Sequence, residues 1–163
     1  MKKLILTFVA VLAGTYLFAQ DNDSYITQIN DNSHADVTQT GYENYSNVYQ
    51  TGYYWSEPRN EAYVKQTGKW NYSSIEQYGE GNTFDARQTG KNNYIGGAFG
   101  SSAYQAGDLN HAKVHQDGEW LESYSSQVGY KNWIEVYQSG NQGQMSYIAQ
   151  NGSRNGAVVH QSN

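Results

Sequence analysis

His111 and His115 stand four residues apart, a spacing at which two imidazoles on one helical turn can share a metal ion. On a strand the same pair would lie on one face but roughly 13 Å apart, too far to share an ion. Asp21, Asp23, Glu119 and Glu122 offer carboxylates, but they are scattered without a partner base. General acid–base chemistry also needs a pocket that excludes water. The sequence has no Cys, which excludes thiol catalysis and a disulfide scaffold. The doublet Gly96-Gly97 lacks the Asp of a calcium-binding nonapeptide repeat. Thr40, Thr51, Thr67 and Thr89 could suggest an ice-binding face, but Tyr49, Lys65 and Arg87 crowd the neighbouring column. No catalytic residue, metal site or cofactor is therefore expected.

The side chains that do recur are amides. Gln stands at Gln28, Gln39, Gln50, Gln66, Gln77, Gln88, Gln105, Gln116, Gln127, Gln138, Gln150 and Gln161. The successive spacings are 11, 11, 16, 11, 11, 17, 11, 11, 11, 12 and 11. Ten of these Gln are followed two residues later by Gly: Gly41, Gly52, Gly68, Gly79, Gly90, Gly107, Gly118, Gly129, Gly140 and Gly152. Asn follows the Gln by five positions at Asn44, Asn71, Asn82, Asn93, Asn110, Asn132 and Asn155, and Asn60, displaced after Gln50, stands six before Gln66. Two positions before the Gln stands an aliphatic residue at Ile26, Val37, Val48, Val64, Ile75, Val114, Val136, Ile148 and Val159. Four before it the residues are mostly small (Ala35, Ser46, Ala62, Ser73, Ser101, Ala112, Ser123, Ser146, Ala157), with Phe84 and Ile134 larger.

Asn, small, aliphatic and Gln thus recur with period two, on one face of a strand. The Gly supplies a permissive turn backbone, and the Asn tolerates a left-handed turn or caps it. Each unit of about eleven residues is then one strand and one turn, and two units make a coil of about 22 residues. Such coils must stack to bury their inner faces. Buried amides are costly unless paired, and stacking pairs them, because identical amides about 4.8 Å apart bond into ladders. Twelve strands predict six coils and a rod of about 29 Å. Extra residues fall around Tyr53–Arg59 and Tyr94–Gly100, both read as turn insertions bulging from opposite edges, and a smaller one in Asn141–Gln144. Outer aromatics such as Tyr45 and Tyr72, or Tyr124 and Tyr147, should stack along the rod.

The flanking chemistry bounds the class. Met1-Lys2-Lys3, an apolar run from Leu4 to Leu17, and Leu17-Phe18-Ala19 read as a secretory signal peptide over 1–19, too short for a membrane span. Residues 20–24 form a short N-terminal segment, and 25–163 the repeat region. After Ala19 there remain 144 residues with net charge −7, so nucleic acid is an unsuitable partner. Only 18 of those 144 are Leu, Ile, Val or Phe, yet 15 Tyr and 4 Trp are present. That balance excludes both an ordinary globule and a disordered chain.

The repeated Q-x-G-x-x-N-x-x-x-x-x-Q, with Ser or Ala and an aliphatic residue ahead of the Gln, resembles the curlin repeat across Tyr25–Asn163. The resemblance implies an all-β, two-sheet β-solenoid of amyloid type. It further implies a secreted subunit of curli-like fibres on the bacterial surface, serving adhesion and biofilm matrix. Its partners would be copies of itself, a related curlin subunit that nucleates, and a dedicated outer-membrane secretion pore. The sequence departs from the pattern at Asn30, which replaces the first Gly, at Leu121, which replaces an Asn, and after Gln50 and Gln138, where the Asn is displaced. Only about eight residues separate Ala19 from Gln28, where curlins commonly carry a polar targeting segment.

Two functions follow: a fibre-forming structural subunit, or a monomeric extracellular solenoid acting as a binding or adhesin module. They differ at the ends, where a monomer needs polar caps. The sequence runs into Val158-Val159-His160-Gln161 without a visible cap, which favours the fibre. One outer column is expected to hold Thr38, Lys65, Arg87, His115, Tyr137 and His160. There Lys65 and Arg87 would act as gatekeeper charges that slow premature pairing.

Overall fold

The computed structural model describes residues 21–29, 33–52, 58–96 and 102–163. The expected signal peptide, Asn30, the 53–57 and 97–100 parts of the insertions, and Ser101 lie outside them.

The alternation of small or aliphatic residues with polar and aromatic ones yields strands throughout. In chain order they are β1 (Asp23–Ile29), β2 (His34–Tyr42), β3 (Tyr45–Thr51), β4 (Glu61–Lys69), β5 (Tyr72–Tyr78), β6 (Thr83–Lys91), β7 (Tyr94–Ile95), β8 (Ala103–Asp108), β9 (His111–Glu119), β10 (Glu122–Tyr130), β11 (Trp133–Gly140), β12 (Met145–Ser153) and β13 (Gly156–Ser162). One sheet runs β1-β3-β5-β7/β8-β10-β12 and the other β2-β4-β6-β9-β11-β13. All pairings are parallel. Consecutive repeat units therefore alternate between sheets, and the chain winds as a two-sheet solenoid of about six coils. The register aligns Gln with Gln at every step, as in Gln50↔Gln77 and Gln66↔Gln88.

Thirteen strands appear rather than twelve because the second insertion does not sit at a turn. Tyr94 and Ile95 begin the strand, in register with Tyr72–Ser73 and Glu122–Ser123, and Ala103 resumes it opposite Ile75. The insertion thus opens the middle of a strand instead of an edge of the rod. Ile95 takes the small-residue column that the spacing assigned to Ser101, and it is fully buried. An aliphatic side chain gains more from that site than a serine would.

The core lies between the sheets. Val48, Val64, Ile75, Val114, Ile134 and Val136 are buried with Ala62 and Ala112. On β6 the size order is inverted, Phe84 then Ala86, and the next half-coil does the same with Ile95 then Ala103. Large and small side chains thus exchange columns there, consistent with filling a fixed inter-sheet space.

Two left-handed residues close each turn that is described in full. The Gly after the Gln has positive φ, as in Gly68 (φ 121°) and Gly90 (φ 112°). A Cβ on Gly68 would lie 1.9 Å from the Gly90 carbonyl oxygen, so the glycine column is as much a packing requirement as a torsional one. Of the two roles expected for the Asn it does not take the left-handed one, which falls to the residue before the Asn place: Glu43, Trp70, Asn92, Leu109, Trp120, Lys131 and Arg154, with φ between 54° and 60°. The Asn acts through its side chain instead.

Candidate assembly site

The recurring chemistry of the fold is two Gln ladders, each built by the strands that carry it. In the first sheet Gln28 donates from Nε2 to Oε1 of Gln50 (2.8 Å), and the series continues Gln50 to Gln77 (2.7 Å), Gln77 to Gln105 (2.8 Å), Gln105 to Gln127 (2.8 Å) and Gln127 to Gln150 (3.1 Å). In the second sheet the steps Gln39–Gln66–Gln88–Gln116–Gln138–Gln161 span 2.8 to 3.0 Å. The same nitrogens also cross the core. Gln66 donates to the carbonyl oxygens of Tyr45 (2.9 Å) and Asn71 (3.1 Å), tying one sheet to the other. Most of these amides are fully buried, so each bond replaces water that the interior cannot supply.

Asn ladders line the two turn edges. Asn71 Nδ2 donates to Asn44 Oδ1 at 3.0 Å, and Asn110, Asn132 and Asn155 continue a second file from Asn82 at 3.0, 3.1 and 3.0 Å. Asn60 receives from Asn82 at 3.3 Å. The ladder Asn from Asn44 to Asn132 also hold the carbonyl of a turn glycine, Asn71 to Gly90 at 3.2 Å for example, which braces the left-handed turn beside it.

The ladders include one residue that the spacing missed. Asn22 accepts from the backbone and side chain of Asn44, both at 3.0 Å, and so fills the Asn place of the first unit. It lies six residues before Gln28, but no Gln-x-Gly precedes it to mark the frame. Leu121 occupies the Asn place of its own unit, buried, with its N–H on Asn93 Oδ1 (3.1 Å). Gln144 does so after the small insertion, and its Oε1 is buried without a partner. Ser46, Ser73, Ser123 and Ser146 likewise bury unpaired hydroxyls in the small-residue column.

Outside, the columns follow the register. Tyr45 and Tyr72 stack at 5.0 Å with an interplanar angle of 3°, and Tyr124 and Tyr147 at 4.8 Å and 12°. Thr38, Lys65, Arg87, His115, Tyr137 and His160 form one column. Within it Arg87 is paired to Asp85 by two bonds of 3.0 and 3.1 Å, which raises its pKa and leaves Lys65 as the cation of that pair without a carboxylate contact among the described residues. Lys113 bridges Glu135 (3.2 Å) and the Tyr137 hydroxyl (2.7 Å). The Tyr137 hydroxyl, donating to Glu135, holds that carboxyl below its usual range, and Lys113 adds to the effect. His111 and His115 stand two rows apart on β9, and no group of three potential metal ligands occurs among the described residues. No helix is long and apolar enough to cross a membrane among those residues.

The two ends of the rod are edge strands. β1 and β2 pair only with β3 and β4, and β12 and β13 only with β10 and β11. They expose Tyr25 and Ile26 at one end and Met145, Tyr147 and Val158 at the other.

Residues 58–90 match the family described as curlin associated repeat. They comprise β4, β5 and β6 up to Gly90, with Gln66, Gln77 and Gln88 in the ladder. No curated protein and no solved structure matches the chain. The chain thus carries a curlin associated repeat over 58–90, and the same Gln ladder runs through the described coils on either side of that match.

Proposed function

We propose that this chain is a secreted structural subunit that polymerises end to end into curli-like amyloid fibres on a bacterial surface. The observation that carries the reading is the direction of the ladders. Every Gln donates toward the C-terminal end of the rod, from Gln28 to Gln50 and from Gln138 to Gln161. The Asn side chains donate the opposite way, from Asn155 to Asn132 and from Asn44 to Asn22. The N-terminal edge therefore offers the Oε1 acceptors of Gln28 and Gln39, and the C-terminal edge the Nε2 donors of Gln150 and Gln161. A second copy placed head to tail continues both ladders, while head-to-head contact sets acceptor against acceptor. Parallel edge strands left open on both sides also favour strand addition.

In this reading residues 1–19 direct export and are removed, and adhesion and matrix support belong to the polymer. Its partners are further copies, a related curlin subunit that nucleates, and an outer-membrane secretion pore. The role is structural, with no catalytic step. Incubating the purified chain from residue 20 tests it. Growth of thioflavin fluorescence with a cross-β reflection near 4.8 Å is expected. A species that stays monomeric over the same period would favour the isolated binding module instead.

A further inference from the structure

The two broad faces of the rod are chemically unlike. The β1-β3-β5-β7/β8-β10-β12 face carries nine tyrosines and, as charges, only Asp23, Glu76 and Glu122 among the described residues. Tyr45, Tyr72 and Tyr94 form one ring column, and Tyr49, Tyr78 and Tyr104 a second contact chain at 5.6 and 5.4 Å. The opposite face carries all four histidines, His34, His111, His115 and His160, on β2, β9 and β13. It also bears the cations Lys65, Arg87 and Lys113, and the acids Asp36, Glu61, Asp85, Asp117 and Glu135. Its fixed charge is therefore −2 with neutral histidines and +2 when all four are charged, against a constant −3 on the tyrosine face.

We propose that the tyrosine face of one fibre docks on the histidine face of a neighbouring fibre, and that acidification drives this lateral association. The proposal rests on the end-to-end polymer above. Near neutral pH both faces are negative and repel; about one unit below the ordinary histidine pKa of about 6.5 the histidine face turns positive while carboxylates remain ionised. Burial lowers the pKa of His111 below the ordinary histidine value; Asp85 and Glu135 act against that shift and Lys113 with it. His115 and His160 sit on either side of Tyr137, at 6.1 and 4.9 Å between rings, and His34 lies 5.7 Å from Tyr63. The edges hold both signs and border both faces: Glu43, Lys69, Lys91 and Glu119 on one, and Arg59, Glu80, Asp108, Lys131 and Arg154 on the other. They do not distinguish the faces.

Area explains why the polymer is required. One face of one chain is roughly 23 Å by 29 Å, on the order of 670 Å². That falls below the ~800 Å² per partner of a standard interface. A fibre repeats the face at fixed spacing, so weak contacts add as linked binding events. The rigid tyrosine rings lose little side-chain entropy on docking, which suits them to such a surface.

The test begins with fibres grown at neutral pH and verified by electron microscopy, so that failure to polymerise is seen before the association is probed. The fibres are then brought to about pH 5.5 at low salt, and turbidity and bundle width are read. Wild-type fibres should bundle, and should disperse again on neutralisation. Fibres with His34, His111, His115 and His160 changed to Gln, and fibres with Glu76→Gln and Glu122→Gln, should stay single. Because the sequence pI is about 5.2, a charge-matched control is needed. Fibres carrying Glu80→Gln and Glu119→Gln on the edges should bundle like wild type. Bundling that survives the histidine or tyrosine-face changes, or that the edge changes abolish equally, would overturn face-to-face docking.

Discussion

Gln77 donates to Gln105 at 2.8 Å although 28 residues separate them, where the rungs from Gln28 and from Gln105 span 22. Strand pairing breaks off after Ile95 and resumes at Ala103 with the rung intact. The amide ladder therefore sets the register, and the intervening chain accommodates to it.

Removing one rung should be costly. Gln77→Leu keeps the bulk but leaves Gln50 without its acceptor and Gln105 without its donor, as well as freeing the Glu61 and Asn82 carbonyls. Orphaned buried groups cost about 1–3 kcal/mol each. Thr89→Ser on the exposed face should cost under about 0.5 kcal/mol. Denaturant midpoints of the soluble chain distinguish the two, and equal losses would mean that the faces are wrongly assigned.

A turn glycine and a strand glycine differ in what they tolerate. Gly68→Ala places a Cβ against the Gly90 carbonyl at a positive φ and should destabilise by more than about 1 kcal/mol. Gly156→Ala meets only Trp133 Cε3 at 3.6 Å, and should be neutral or stabilising by up to about 1 kcal/mol. A thermal melt of each variant checks the pair.

Much of this architecture was legible in the sequence, because the Gln period, the Val/Ile column and the Gly column are all fixed by side-chain chemistry. The split strand was not read, since spacing was counted back from Gln105. The pairs Asn44-Tyr45 and Asn71-Tyr72 recur as Asn93-Tyr94, and that dipeptide marked the true start. The left-handed residues were illegible: Glu43, Trp70, Leu109 and Lys131 share no chemistry. Their backbone is held by the adjacent coil, as where the Leu109 N–H donates to the Glu80 carbonyl (2.8 Å) and the Lys131 N–H to that of Asp108 (3.0 Å), not by their own side chains. Asn22 lacked a preceding repeat to place it.

The buried serines give a change expected to stabilise. Ser73 is fully buried with its hydroxyl unpaired, in a column where the opposite sheet uses Ala62 and Ala112. Ser73→Ala removes that desolvated group and should gain about 1 kcal/mol. A lower unfolding midpoint for this variant would show that the hydroxyl is satisfied after all.

Two titrating groups on the outer face of the second sheet predict a pH response of stability. Glu135 has a depressed pKa, so its contribution is present above the unfolded carboxylate value of about 4.3 and is lost as pH falls through the lower folded value. His111 acts in the same direction for a different reason. Its depressed folded pKa means that the unfolded chain binds the proton more readily, so stability falls as pH drops below about 6.5. His111→Gln should flatten the unfolding midpoint between about pH 6.5 and 5, and Glu135→Gln should flatten it only below about pH 4.3.

Control of assembly should rest on Lys65 more than on Arg87. Asp85 already neutralises Arg87, so Lys65→Thr should shorten the lag phase at low salt, whereas Arg87→Thr exposes Asp85 and should change it less. A lag unchanged at every salt concentration would leave Lys65 with solubility alone.

The central claim is head-to-tail continuation of the ladders, and engineered thiols test it directly, since the sequence contains no Cys. Extending the Gln28 and Gln150 register across a junction sets Tyr25 of one copy beside Tyr147 of the next, about 4.8 Å apart between strands and within disulfide reach. Fibres grown from chains with both Tyr25→Cys and Tyr147→Cys should form interchain disulfides under mild oxidation, seen as a ladder of multimers on a non-reducing gel. Either single variant should give none along the fibre. Fibres of the double variant that stay uncrosslinked, or single variants that dimerise through Tyr25→Cys alone, would contradict the head-to-tail account.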